Sequence, residues 1–289
     1  MVGIKKVTCV LGKNHRTVED IAGFCTEEVQ QNMIKIGLDQ IPTDNKKILW
    51  DMIGEAYNQI NETPDCILIG HSLPFIRGNS QPLQFEKEIP VYFFSGLPCA
   101  ILHKTVQLGK ELIESGVYNK ILVVGADKAY SDRERVFFGT IMGDGVVALL
   151  LTDDAESNKL LGSFVSTTIF APNGENSEPE DIAKFRENNA LMMRKAILNC
   201  MKEADLDEVD YFVTHTSNST FWDGMAKLLR CSREKFLDQN IRNTGHMNSH
   251  DSFYHYTYWC EQGVIKPRDV VMLINPGFGG TQGCTLIKR

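Results

Sequence analysis

The chain repeats itself. Lys46 to His71 reads KKILWDMIGEAYNQINETPDCILIGH, and Ala190 to His215 reads ALMMRKAILNCMKEADLDEVDYFVTH. Each is an amphipathic helix, a polar turn and a short buried strand. Apolar positions align: Ile48 with Met192, Leu49 with Met193 and Ile53 with Ile197. Both strands end in a histidine, His71 and His215. A second pair follows in the same order. Lys120 to Asp127 (KILVVGAD) matches Asp269 to Gly277 (DVVMLINPG), and each leads through glycines to a further apolar run. Those runs are Gly143 to Leu151 (GDGVVALLL) and Gly279 to Arg289 (GGTQGCTLIKR). The offset is roughly 140–150 residues, about the size of one α/β domain.

A duplicated chain of this kind folds as two similar α/β halves. Strand and helix patterns alternate, which predicts βαβ units and a mainly parallel sheet. Met1–Val10 reads as a first strand, and Ala100–Ser115 and Asp181–Ala204 read as helices. Leu151–Lys159 is polar and reads as the link, which sets the halves at 1–154 and 155–289. Ala171–Pro179 reads as a surface loop.

Charge and cysteine usage narrow the function. The formal net charge is −7, whereas phosphate binding needs a basic surface, so no nucleic-acid partner is expected. No apolar run approaches the roughly 18 residues that span a bilayer, and Met1–Val10 lacks the h-region of a signal peptide. There are eight cysteines and no C-x-x-C pair, the usage of reduced thiols in a cytoplasmic protein. The stretch His246 to Trp259 is rich in histidine and aromatics. His246, His250 and His255 do not fall on one helical face with a further ligand, so no metal is expected there.

Cys99 is the residue with the most chemical promise. Val91–Phe94 reads as a strand, Ser95 and Gly96 supply a turn, and an amphipathic helix follows Pro98. The thiol therefore lies at a helix N-terminus, where free N–H groups and a partial positive charge favour a thiolate and can hold an oxyanion. The competing reading is a buried structural cysteine.

Four stretches now carry a resemblance. They are Ser95–Ala100, KILVVGAD followed by MGDGVVALLL (Met142–Leu151), DYFVTHTSN (Asp210–Asn218) and GVIKPRDVVMLINPGFGG (Gly263–Gly280). In order and spacing the sequence resembles the ketoacyl-acyl-carrier-protein synthase III branch of the thiolase superfamily. The resemblance implies an α/β thiolase-like fold, two duplicated βαβαβαββ-type halves layered α-β-α-β-α, and a homodimer. It implies an acyl group carried on Cys99, His215 as acid/base, and an oxyanion hole from the N–H groups of Cys99, Gly279 and Gly280. It also implies substrate contacts at Asn218 and Asn248. The substrate would be an acyl-CoA or an acyl-phosphopantetheine thioester on an acyl or peptidyl carrier protein, with no tightly bound cofactor.

Departures from the family pattern shape the reading. The family's third catalytic residue is an asparagine in a G-N-x-S turn, and that position falls on His246 in GHMNSHDS. The Gly-His-x-x-x-x-Asp arrangement resembles an acyltransferase side branch and points to Asp251. Asn248 and Asn243 stay open as substitutes, and Asp251 could instead cap a helix Ser252–Glu261. The family's T-G-I-x-x-R stretch, which helps hold coenzyme A, is absent. Ile101 stands where the family often has glycine. The expectation is an acyltransferase of fatty-acid-like or secondary metabolism. The alternatives are decarboxylative carbon–carbon condensation and a non-catalytic partner subunit of the same fold.

Overall fold

Apolar strands too hydrophobic to face water on either side must be buried in the middle of the molecule, and the architecture follows from that. The computed structural model describes residues 1–73, 88–137, 139–215 and 219–289. Among the described residues ten strands form one sheet: β1 (Gly3–Leu11), β2 (Cys66–Gly70), β3 (Val91–Phe94), β4 (Lys120–Asp127), β5 (Gly145–Thr152), β6 (Lys159–Thr167), β7 (Tyr211–Thr214), β8 (Phe236–Leu237), β9 (Val270–Gly277) and β10 (Thr281–Lys288). Their order is β8-β7-β9-β10-β6-β1-β5-β4-β2-β3. Read from the centre outward, β6-β10-β9-β7-β8 copies β1-β5-β4-β2-β3. The two sets join at β1 and β6, through the pair Gly3 and Lys159 and the flanking backbone bonds Ile4 N–H to Asn158 and Leu160 N–H to Val2. The expected division at 154/155 falls in the turn between β5 and β6.

The sheet is not mainly parallel. Four of its joins are parallel and five antiparallel. The reason lies in the connections. Only a strand followed by a crossover helix can return parallel, and β9 runs into β10 through a tight turn that carries no helix.

Five helices complete the layers: α1 (Leu49–Ile60), α2 (Ile101–Glu114), α3 (Pro179–Glu203), α4 (Ser219–Leu229) and α5 (Asp251–Glu261). In α1 the buried residues Leu49, Met52, Ile53, Ala56 and Ile60 form one apolar stripe, which rests on β1 and β5. Helix α3 covers β6 and β10 on the other side of the molecule and carries α4. These are outer-layer helices. Helix α2 is different: Ile101, Leu102, His103, Thr105, Val106, Gly109 and Ile113 are all buried, and it touches β2 and β4 of one half and β6 and β10 of the other. Helix α5 is its counterpart against β7 and β9. Both lie between the two sets of strands, which gives the expected α-β-α-β-α order. Each fully buried Leu or Ile in this layer contributes about 1.5–3 kcal/mol.

The remaining early residues form a small appendage. Asn14–Arg16 pairs with Ile41–Thr43, and a helix Glu27–Lys35 packs Val29 and Met33 onto Ile21, Ile41 and Ile141. The loop expected at Ala171–Pro179 contains a 3-10 turn, Gly174–Asn176, and α3 starts at its last residue. No helix among the described residues is long and apolar enough to cross a membrane.

Two histidines of the middle layer carry a stability cost at low pH. Burial pushes His103 and His250 down to about 4, from 6.5 for an exposed imidazole. Below 6.5 the unfolded chain takes up protons that the folded chain refuses until about pH 4. Stability is therefore full above 6.5 and falls as pH drops through that window, by about 2 kcal/mol for each histidine between pH 6.5 and 5. Urea midpoints at pH 7 and pH 5 should show this loss, and His103→Gln and His250→Gln should each reduce it. An equal loss in wild type and both variants would assign it to other groups.

Candidate active site

The chain makes a sharp turn between β3 and α2, and Cys99 sits at its apex. Helix α2 begins at Ile101 with Ala100 as its cap, so Cys99 lies just outside the helix rather than in its first turn. Its φ is +55°, the left-handed region that a side chain with a Cβ rarely adopts, at a cost of about 1–3 kcal/mol. Both peptide groups of Cys99 are held by side chains. Its N–H donates to Ser72 Oγ at 3.0 Å, and its carbonyl accepts from Asn275 Nδ2 at 2.9 Å. Ser72 is fixed in turn, because Asp127 Oδ1 accepts the N–H groups of Ser72 and Leu73 at 2.8 and 2.9 Å. Behind the turn, β9 passes so close that a Cβ on Gly277 would lie 1.9 Å from the Pro98 carbonyl oxygen.

The corresponding turn of the second half, before α5, faces it. His246 is pinned by its backbone: its N–H donates to Ile141 O at 2.8 Å and its carbonyl accepts from Gly143 N–H at 2.9 Å. That is the work of the Met142–Gly145 signature. Asp144 is fully buried, takes Arg135 in two bonds of 2.8 and 3.1 Å, and accepts the N–H groups of Asp44 and Ala129. Asn275 also reaches this turn, donating toward the carbonyls of Asn248 and Ser249 at 3.3 and 3.4 Å. Asp127 Oδ2 accepts the N–H and the hydroxyl of Ser249 at 3.1 and 2.6 Å. One amide and one carboxylate thus bind both turns together.

Cys99, His246 and Asp251 form a line. Cys99 Sγ is 3.8 Å from His246 Nε2, and His246 Nδ1 is 3.0 Å from Asp251 Oδ2. Asp251 is the first residue of α5, whose cap is His250 with no side-chain bond, so Asp251 does not cap the helix. Its carboxylate turns inward and is fully buried. Burial opposes charge on His246, but its bonds to Asp251 and to the Cys99 sulfur raise it to about 10. Burial likewise opposes charge on Asp251, and the neighbouring His246 and His255 hold it well below the usual carboxylate range. His215 stands beside this line, its ring 4.2 Å from that of His246 and edge-on to it. Burial first, and the charge of His246 second, push His215 well below 6.5, so it is neutral. One imidazole is therefore cationic and its neighbour is not, and His246 is the one whose Nδ1 lies 3.0 Å from the Asp251 carboxylate. Cys99, His215 and His246 each present one donor atom within 4.8 Å of the others, the composition of a site for a soft divalent cation. The sequence pointed the metal question at His246, His250 and His255 instead.

The other expected residues are placed as follows. Cys99 N–H is directed at Ser72 Oγ, so an oxyanion that takes this N–H displaces the hydroxyl. Gly280 N–H makes a long 3.4 Å contact to Gly277 O, and the carbonyls of Gly279 and Gly280 accept from Phe170 and Thr168. Asn248 is buried with φ +50°, and its Nδ2 has no hydrogen-bond partner among the described residues. Asn218 lies outside the described residues. Asn243 does not face the sulfur; it donates to Asn240 Oδ1 at 2.9 Å. Sequence reasoning missed Ser72, Asp127 and Asn275. Their signal was present: Asp127 and Asn275 are polar residues near the ends of otherwise apolar strands, and Ser72 follows a strand-end histidine.

Two half-chains with this strand order define a thiolase-type fold. The family description 3-oxoacyl-[acyl-carrier-protein (ACP)] synthase III matches residues 97–168, and its C-terminal counterpart matches residues 201–289, together more than half of the chain. The chain belongs to this ketoacyl synthase III-like branch of the thiolase superfamily. Among curated proteins it is similar to β-ketoacyl-[acyl-carrier-protein] synthase III of Lactococcus lactis, 28% identical over 209 residues, which are 62% of this chain and 62% of that protein. The protein of that name from Trichodesmium erythraeum is 26% identical over 271 residues, 81% of this chain and 80% of that protein. Among solved structures, 3-oxoacyl-[acyl-carrier-protein] synthase III from Aquifex aeolicus has a TM-score of 0.80 at 19% identity, with 100% of both chains covered. The acyltransferase ChlB3 has a TM-score of 0.83 at 16% identity, covering 99% of this chain and 97% of its own. Xanthomonas campestris OleA with bound lauric acid and lauroyl-CoA has a TM-score of 0.78 at 13% identity, covering 100% and 99%. These structural likenesses carry the fold.

The contact of Gly277 with Pro98 is directly testable. The extra methyl of Gly277→Ala must push the Cys99 turn away from β9, which should destabilise the protein by about 1–3 kcal/mol. Iodoacetamide labelling of Cys99, followed on its own peptide by mass spectrometry, should slow in the same variant. Unchanged stability together with unchanged labelling would show that the turn is not held against the strand.

Proposed function

We propose that the chain is an acyltransferase that carries its acyl group on Cys99. The observation that supports this reading best is the Cys99–His246–Asp251 line, with a histidine where the family resemblance implies a condensation asparagine. In the first step the thiolate of Cys99 attacks the thioester carbonyl. The carbonyl oxygen takes up the negative charge and is met by the N–H groups of Cys99 and the Gly279–Gly280 turn. The carbon–sulfur bond to the donor then breaks, and the donor thiolate leaves as the thiol by taking the proton carried by His246. In the second step an acceptor hydroxyl, amine or thiol gives its proton to a histidine as it attacks the acyl-Cys99 carbonyl, and Cys99 departs as the thiolate. His246, backed by Asp251, suits the role of acid that gives the first proton; neutral His215 suits the acceptance of the acceptor's proton and its return to His246, whose ring is 4.2 Å away, which restores the starting state. Asn248, and Asn218 beyond it in the chain, are assigned to substrate contact. On this reading the units 1–154 and 155–289 supply the nucleophile and the acid/base residues.

The donor is assigned as an acyl-CoA or the pantetheine thioester of an acyl or peptidyl carrier protein. The names of the curated relatives, and lauroyl-CoA in the OleA structure, support that class. The relatives' names also favour a second reading, decarboxylative condensation, in which the unpartnered amide of Asn248 would face the extender. Intact-mass spectrometry against a panel of acyl-CoA and acyl-carrier thioesters decides between them. Wild type should gain one acyl mass and lose it on addition of an acceptor, and Cys99→Ala should gain none. Asp251→Asn should load about 10²–10⁴ times more slowly. Acylation of Cys99→Ala would sink the acyl-cysteine, release of labelled carbon dioxide from a malonyl thioester would select condensation, and no loading by any donor would select a partner subunit.

The chain is also assigned as a homodimer. Strand β3 is the outermost strand on its side among the described residues, and it leaves Tyr92 46% and Phe93 48% exposed. Large apolar side chains exposed on the outermost described strand suit contact with a second copy of the chain. Light scattering should return twice the chain mass of 32.5 kDa, and Phe93→Lys should lower it. A wild-type mass of one chain at micromolar concentration would rule the dimer out.

A further inference from the structure

Asp251 has two oxygens, and the line from Cys99 uses only one. The other, Oδ1, lies 2.8 Å from Nε2 of His255, one turn further along α5. His255 has a partner on its far side: its Nδ1 is 3.0 Å from Asn240 Nδ2. Asn240 is oriented from behind, because its Oδ1 accepts from Asn243 Nδ2 at 2.9 Å. Asn240, His255 and Asp251 are all buried.

The direction of every bond in this chain is fixed by what each atom can do. An amide nitrogen only donates, so Asn240 gives its hydrogen to His255 Nδ1, which must carry the lone pair. The single proton of a neutral His255 is then on Nε2, the atom facing Asp251. Turning the Asn240 amide over would place its oxygen against a protonated Nδ1 and leave a lone pair against the carboxylate. The observed orientation turns the proton of a neutral His255 toward Asp251, in a close 2.8 Å approach that lacks the alignment of a full hydrogen bond. Asp251 thereby faces two nitrogens, His246 and His255, with His215 and His250 as the other titratable groups around it; Asp127 lies beyond His250, 3.9 Å away, and His103 faces the layer from α2.

We propose that His255, oriented by Asn240 and Asn243, is a positioning residue that keeps Asp251 an ionised acceptor aimed at His246 Nδ1, and so directs His246 Nε2 at Cys99. This rests on the reading of Cys99, His246 and Asp251 as the reacting line. A buried carboxylate with one donor instead of two takes up a proton more readily. Once it does, His246 loses its anionic partner, and the pairing of a cationic His246 with the Cys99 thiolate requires a higher pH.

The test is the pH profile of Cys99 labelling by iodoacetamide, read on the Cys99 peptide by mass spectrometry, in the full chain with a chelator present. In His255→Leu the midpoint should rise by about one pH unit, and His255→Gln, which keeps a side-chain N–H donor, should return it toward wild type. Asn240→Ala should move it in the same direction by less, and decides the matter if His255→Leu does not fold by thermal melting. A lower labelling rate with an unmoved midpoint in the folded variants would show that His255 only packs, and would overturn the proposal. The wild-type profile tests the underlying reading separately. If His246→Gln leaves that profile unmoved, the Cys99–His246 pairing fails, whatever the His255 variants show.

Discussion

The structure turns on one amide. Asn275 reaches from β9 to the carbonyl of Cys99 and to those of Asn248 and Ser249, and so ties the N-terminal turns of the two middle-layer helices together. The two turns have equivalent places in the repeated halves, each just before a helix buried between two sets of strands. Burial removes water from both, so their peptide groups need partners from the protein. Asp127, at the end of the equivalent strand β4, supplies the rest, with bonds to Ser72 and Leu73 on one side and Ser249 on the other. Each strand end also abuts the other half's turn without room for a side chain. Gly277 of β9 meets Pro98, and Gly125 of β4 would place a Cβ 2.8 Å from the Cβ of His250. The site is where two copies of one fold interlock.

This interlock explains how a cysteine can hold a φ of +55°. A strained residue persists only when its surroundings allow it no relaxed alternative. Cys99 is restrained at its N–H by Ser72, at its carbonyl by Asn275, and from behind by β9. The same dry enclosure sorts the histidines. His103, His215 and His250 are as buried as His246, and burial is the largest cause that pushes each of them down, with the charge of His246 adding to it at His215 and His250. His246 differs in having a fully buried carboxylate on Nδ1 and a sulfur before Nε2. Charge is placed by a single side chain, Asp251, rather than by depth.

Much of this was legible in the sequence, and the reason is the repeat. Duplicated periodicity is a long-range signal, and it made legible the likeness of the two halves, the match of α1 with α3 and the meeting of Cys99 with a strand-end histidine from the other half. Strand direction was legible only in part, because apolar runs do not state whether a helix or a three-residue turn joins them. Within the site, Cys99, His215, His246 and Asp251 stood out as reactive types, but their connections did not. Whether Asp251 capped α5 or bonded His246 depended on where the helix began, a matter of one residue. Ser72, Asp127 and Asn275 stood out only as polar residues at or just after strand ends, and their roles were hidden because each acts on backbone atoms distant in sequence.

A histidine at position 246, where the family resemblance implies an asparagine, has consequences beyond one side chain. An asparagine amide is neutral and can be buried with ordinary hydrogen bonds. A histidine beside a sulfur is useful as a cation, and a cation in this layer requires an anion. Asp251 meets that need, but a buried carboxylate needs more than one donor, and its second oxygen faces His255. On the proposal above, Asn240 Nδ2, 3.0 Å from Nδ1 on the far side of the ring, directs the His255 proton to Nε2. One change of chemistry at position 246 thus reaches through α5 to the turn at Asn240–Asn243, and the polarity of GHMNSHDSFYH in an otherwise apolar helix start is the mark of that chain of requirements.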